Sequence, residues 1–163
     1  MISAFYIAAV IAVFSTVMAI TRVNAVHALL YLIVSLLSVA VMFFILGAPF
    51  VAALEVIIYA GAIVVLFLFV VMMVNVGDIA AVQERRWLGP KIWRGPILLC
   101  TALFIEVCYS VWRQPRGIVA GPAVDPQQVG LALYDRYAAG VLLVSMLLLA
   151  GLVGAYHLGK RVR

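Results

Sequence analysis

The chain has 163 residues, of which 68% are apolar and only 10% charged, and its formal net charge is +5. Soluble domains average roughly half apolar and about a quarter charged, and a domain of this size has too little interior to hide the excess. A soluble globular enzyme and a disordered chain are both excluded, and a polytopic membrane protein remains.

Five apolar stretches stand against the roughly 20 residues that cross a hydrocarbon core. The first covers residues 2–20. No basic residue precedes it, since the first Lys or Arg is Arg22, and it is long enough to span. It therefore reads as a retained helix and not as a cleaved signal. A short turn at 21–27 leads to the second stretch, 28–46. The uncharged Gly47-Ala48-Pro49-Phe50 predicts a tight hairpin into the third, 51–76, which Glu55 interrupts. A polar loop at 77–95 leads to the fourth, 97–112, which Glu106 interrupts. That helix has room to extend toward Trp93, and Pro96 suits a first-turn position. Segment 113–129 is rich in Pro and Gly and reads as irregular. The fifth stretch is 137–158. Each must be helical, because lipid offers no partner to unpaired backbone groups, and the alternation of a barrel is absent. The predicted fold class is an all-α membrane protein, with residues 1–163 forming one membrane domain of five transmembrane helices.

Basic residues predict the orientation. Arg22, Arg85, Arg86, Lys91, Arg94, Lys160, Arg161 and Arg163 fall on one side of a five-span chain, against Arg113, Arg116 and Arg136 on the other. The richer side is expected to be cytoplasmic, which places the N-terminus in the periplasm and the C-terminus in the cytoplasm. Trp87, Trp93, Trp112 and Tyr156 lie near the predicted interfaces, as anchoring aromatics do. Topology thus accounts for the positive charge without nucleic acid, for which no stacking signature is present.

Candidate chemistry is sparse. Cys100 and Cys108 would stand about 12 Å apart on a helix, too far for a disulfide, and read as small packing residues. His27 and His157 lie near the ends of different helices without metal-ligand spacing. No P-loop, GxGxxG, CxxC or nucleophile elbow appears, so no catalytic, metal or cofactor-binding residue is expected in this chain. The two membrane carboxylates are the exception. Glu55 lies roughly 7 Å below the outer surface and Glu106 roughly 9 Å, both in the outer half. An acidic residue at the centre of a span costs about 2.5 to 3.5 kcal/mol on insertion scales and is usually kept for a function. The plainer alternative is a carboxyl hydrogen-bonded to a neighbouring helix. Tyr59, four residues after Glu55, shares its face on an α-helix and would extend a polar stripe. Alone it would read as a packed phenol. The small residues Ala60-Gly61-Ala62 permit close backbone approach or an irregular turn. A straight, tilted helix is the simpler reading of this long span. Ala150, Gly151, Gly154 and Ala155 form a small-residue packing face on the fifth helix.

The segment EVIIYAGAIVVLFLFVVMM at 55–73 closely resembles the third helix of the J-subunit family of bacterial NADH:quinone oxidoreductase, respiratory complex I. NADH dehydrogenase subunit six is the mitochondrial counterpart. HALLYLIVSLL at 27–37 and SMLLLAGLVG at 145–154 are similar to the same family, and the likeness is weakest over 97–129. The resemblance implies a non-redox subunit of the membrane arm in the bacterial inner membrane, packed with the A, H, K and N subunits. FMN, iron–sulfur clusters, NADH and quinone would belong to other subunits. It also implies a π-bulge at 59–65 whose change to α-helix opens or closes a water path coupling quinone reduction to proton translocation. Glu55 and Tyr59 would line that path, Gly61 would permit the backbone change, and Val65 would close the bulge. Many relatives carry a Glu early in the fifth helix, where this chain has Leu142. The role of that carboxylate does not carry over, and Glu106 on the fourth helix is the candidate to replace it. The competing readings are an autonomous ion transporter, or a subunit of a related membrane-bound hydrogenase or multi-subunit cation antiporter. Small size and the lack of inverted repeats and of an intramembrane Lys weigh against the transporter.

Overall fold

The computed structural model describes residues 2–74, 90–113 and 124–160, and every element among them is helical. Five helices in this set are long and apolar enough to cross a membrane. The chain divides into two compact units, Met1–Ala123 and Val124–Arg163. Most of the predicted basic loop at 77–95, with Arg85, Arg86 and Trp87, lies outside the described residues, as do Arg116, Arg161, Arg163 and the expected end of the third span at 76.

The first unit begins with α1, Ile2–Thr21, and α2, Ala25–Ile45. Asn24 caps α2. Its side-chain oxygen accepts hydrogen bonds from the Val26 and His27 amides, at 2.9 and 3.2 Å, so the helix starts three residues earlier than the apolar run suggests. The far end of α2 closes in a Schellman turn. Gly47 takes a φ of 88°, its amide donates to the Phe44 carbonyl, and the Ala48 amide donates to that of Phe43. Only glycine accepts that φ without strain. Pro49 then opens the next helix at its first position, where a missing N–H costs nothing.

The third span is a composite. It runs through α3, Pro49–Leu54, a π-helical segment, Glu55–Ile63, and α4, Val64–Val74. After the undescribed loop comes α5, Pro90–Arg113. This corrects the expected start at 97. Residues 90–95 are helical rather than loop, and Pro96 sits inside the helix rather than in its first turn. The proline removes one backbone bond there, to the Ile92 carbonyl, and the helix continues past it.

Helices α1, α2 and α5 share a core. Ile11, Val34 and Leu103 meet at its centre, with Leu37, Val41 and Leu99 packed around them. Between apolar helices in lipid the hydrophobic effect offers no drive, so close approach and dispersion hold the contact. The fully or nearly buried Ala8, Ala12, Ala40 and Ala52 supply that approach.

The second unit holds α6, Pro126–Leu131, a second π-helical segment, Ala132–Arg136, and α7, Ala138–Gly159. The predicted irregular segment 113–129 therefore ends sooner than expected, because Pro126 begins a helix instead of breaking one. No residue of α7 is buried, and nothing stands within 4 Å of a Cβ built on Gly151 or Gly154. The small-residue face of this helix is left bare within its own unit.

Candidate functional site

The π-helical segment changes which side of the third span faces α2. Ala52 is buried and Glu55 half-buried, three residues apart on one face. Continued as a straight α-helix, that face would next present Tyr59, Ala62 and Leu66. Instead Tyr59 is 48% exposed and Leu66 62%, whereas Val64 is 1% exposed and Leu68 and Val71 are half-buried behind it. The i→i+5 register of a π-helix shifts the phase between the two halves. The polar stripe expected of Glu55 and Tyr59 is thus broken, and no side-chain hydrogen bond joins them among the described residues. The π register also lies earlier than 59–65. It spans Glu55–Ile63 and ends at Val64, whose amide reaches back to the Tyr59 carbonyl, while Val65 is α-helical and exposed.

Gly61 lies inside this segment. A Cβ placed there would stand 3.2 Å from the Val56 carbonyl oxygen, five residues back, tighter than an ordinary van der Waals contact. Glycine is the residue that tolerates this approach.

Glu106 occupies a different place. Leu99, Leu103 and Glu106 recur at helical spacing on the inward face of α5, and Glu106 is only 7% exposed. Its carboxyl is turned toward the Ala8 backbone of α1, yet neither oxygen completes a hydrogen bond of ordinary geometry. The same core holds several hydroxyls. Thr16 and Ser35 lie 2.7 Å apart, oxygen to oxygen. One of them donates to the other, and the Ala12 carbonyl lies within reach of both, 2.8 Å from the Thr16 hydroxyl and 3.3 Å from that of Ser35. Ser38 donates to the Val34 carbonyl at 2.8 Å, and the fully buried Ser15 hydroxyl has no partner. The buried Ser15, Ser35 and Ser38, with the exposed Thr16 beside them, escaped the sequence reading, because Ser and Thr within an apolar run carry no mark of which face they occupy.

At the end of the bundle near residues 22–24, Arg22 lies over the Tyr31 ring, 5.5 Å from its centroid, and the His27 ring is 5.0 Å from it. The Tyr31 phenol packs against Gly95 of α5, where any Cβ would collide with its hydroxyl. Gly95→Val is therefore expected to destabilise the first unit by about 1 to 3 kcal/mol, the range for overpacking a filled contact. Thermal denaturation in detergent measures this. Tyr31→Leu combined with Gly95→Val should recover part of the loss, because it removes the colliding hydroxyl.

An apolar groove of about 910 Å³ runs between α2, the start of the third span and α5, past Leu37, Ala40, Ala52, Val56 and Val107. Neither carboxylate lines it, so it is a packing surface apart from Glu55 and Glu106. Cys100 and Cys108 are free thiols. Among the described residues no three His, Cys, Asp or Glu side chains come together as metal ligands.

Comparison with known proteins identifies the family. Residues 15–158 match the family of NADH-ubiquinone/plastoquinone oxidoreductase chain 6. The chain is 55% identical over 159 residues to the NADH-quinone oxidoreductase subunit J of Pseudomonas aeruginosa, covering 97% of this chain and 96% of that protein. It is 48% identical over 160 residues to the Escherichia coli K12 subunit J, covering 98% and 87%. The Rhodobacter capsulatus subunit J is 37% identical over 171 residues, covering 98% and 82%. A family match across five apolar helices and most of the chain leaves one conclusion: this chain belongs to the NADH-ubiquinone/plastoquinone oxidoreductase chain 6 family.

Proposed function

We propose that this chain is a non-redox membrane-arm subunit of a proton-pumping NADH:quinone oxidoreductase in the bacterial inner membrane. Its work is to couple quinone reduction to proton translocation through the third span. The observation that carries this reading is the change of inward face across the π-helical segment Glu55–Ile63, in a chain of this family. Moving the register by one residue rotates one half of the span by about 100° relative to the other. Conversion to α-helix would bring Tyr59 to the face that Glu55 occupies and turn Val64 away. Two packings of one helix are a two-state element, and the chemistry of quinone reduction elsewhere in the complex can bias it.

In this scheme Glu55 holds and releases the proton, Tyr59 completes or interrupts the water path, and Gly61 allows the backbone to change. Val65, just beyond the π segment, turns with α4. The richer basic side, with Arg22, Arg94 and Lys160 among its members, faces the cytoplasm, and the N-terminus faces the periplasm. The exposed faces of α7 and of the third span suit contact with lipid and with the A, H, K and N subunits, while FMN, iron–sulfur clusters, NADH and quinone belong to other subunits.

Affinity purification of a tagged chain from gently solubilised membranes tests the assignment. The expected result is recovery with those four subunits and with NADH:quinone reductase activity. Recovery of the chain alone would favour an autonomous transporter. Recovery with hydrogenase or cation-antiporter subunits would favour one of those related complexes.

A further inference from the structure

We infer that Glu106 is a proton-binding site in its own right, served by the buried hydroxyls of Ser15, Ser35 and Ser38 in the first unit and by Thr16 at their exposed edge. The inference rests on the chain's place in a proton-translocating complex, but not on the switch in the third span.

Two buried polar groups without partners mark the ends of this route. Glu106 is 7% exposed with both oxygens unbonded, and Ser15 is fully buried with its hydroxyl unbonded. Buried groups of this kind are rare in native proteins and call for a ligand or a chemical role. Both meet one face of α1, Ser15 as part of it and Glu106 from α5. Ala8, against which the carboxyl is turned, precedes Ala12 by four residues and Ser15 by seven, a rise of about 10 Å. The middle of that interval is polar. The Ala12 carbonyl lies 2.8 Å from the Thr16 hydroxyl and 3.3 Å from that of Ser35, and the two hydroxyls are hydrogen-bonded at 2.7 Å. α2 runs antiparallel to α1 across a three-residue turn, so Ser38, one turn beyond Ser35, stands near the level of Ala8 and hence of Glu106. Ser38 donates its hydrogen to Val34, which leaves its oxygen free to accept one.

A hydroxyl passes a proton by accepting on oxygen while donating its own hydrogen onward, and water spans the remaining gaps. The ionised Glu106 takes a proton on one carboxylate oxygen, becomes neutral, and returns to the anion on release. No electrons move. Among the described side chains no cation pairs with it. The titratable side chains of α1 and α2 are Tyr6, which is 64% exposed, and His27 and Tyr31 at the opposite end of α2. On α5 itself, the described titratable side chains other than Glu106 are Arg94, Cys100, Cys108 and Tyr109, all exposed. A buried carboxyl with no counter-charge among the described side chains is suited to exchange a proton rather than to anchor a salt bridge.

The test uses the whole purified complex in liposomes, read by infrared difference spectroscopy during turnover with NADH and by proton pumping. The wild type is expected to show a carboxylic-acid band that Glu106→Gln removes, together with a severalfold loss of pumping. Glu106→Asp should restore both. Ser38→Ala should shift the band without removing it. An unchanged band, or full pumping, in Glu106→Gln would overturn the inference. If that variant fails to assemble, Ser35→Ala and Ser38→Ala decide by the band alone, and no shift in either counts against the route. If Gly61→Val uncouples the enzyme while Glu106→Gln does not, this inference falls and the switch stands. The reverse pattern keeps Glu106 and removes the switch.

Discussion

Gly61→Val is expected to uncouple the assembled enzyme: NADH:quinone reduction continues while proton pumping is lost. The reason is local. A single Cβ at this position would already stand 3.2 Å from the Val56 carbonyl, and valine adds two methyl groups on a stiff, branched carbon. The contact belongs to the π register, in which position 61 lies over position 56. Side chains therefore disfavour that register and push the span toward regular α-helix. Gly61→Ala should act in the same direction more gently. Removing glycine from a helix interior favours the α-helix by about 1 kcal/mol, a factor of about five in a two-state population. Graded uncoupling across Gly, Ala and Val, measured as protons pumped per NADH oxidised in liposomes, is the expected outcome. Equal coupling in all three would mean that the span does not switch.

Glu55→Gln has the second large effect. The substitution keeps the size and hydrogen-bonding atoms of the side chain and removes only its ability to lose a proton. Glu55 is half-buried and makes no salt bridge among the described residues, so assembly should be little affected. Pumping should fall sharply at a nearly unchanged amount of assembled complex. Pumping at the wild-type rate would make Glu55 a structural residue. Loss of assembly in step with loss of pumping would lead to the same conclusion, because a purely packing role predicts both together.

The two carboxylates show where sequence reasoning stops. Both are legible as oddities, since a charge inside an apolar run is costly wherever the helix points. Their surroundings are not legible. Glu106 lies on the same face as Leu99 and Leu103 and is closed off by α1, whereas Glu55 sits at the boundary between two helical registers. Spacing on an ideal helix paired Glu55 with Tyr59. The π segment separates them, because the phase of a helix depends on every hydrogen bond between the two positions. The helix ends tell a similar story. Pro49, Pro90 and Pro126 each stand at the first position of a helix, yet only the hairpin at Gly47 announces its start unambiguously. A proline reads equally well as the end of a loop or the opening of a helix. Gly95 likewise passed for loop glycine, and its need arises from Tyr31, more than sixty positions earlier in the chain.

The amino-acid sequence by itself determined that the chain crosses a membrane, that it does so as five helices, and that two carboxylates lie within them. Those conclusions depend on transfer energies and on backbone hydrogen bonding in lipid, which are set by composition and length. Tertiary structure alone decided that the third span carries a π register at Glu55–Ile63, that Tyr59 faces outward, and that Glu106 is buried against α1. Each of these depends on the phase of one helix against its neighbours. A near-uniform apolar run records almost none of that phase, because a leucine or valine is equally at home against lipid and against protein.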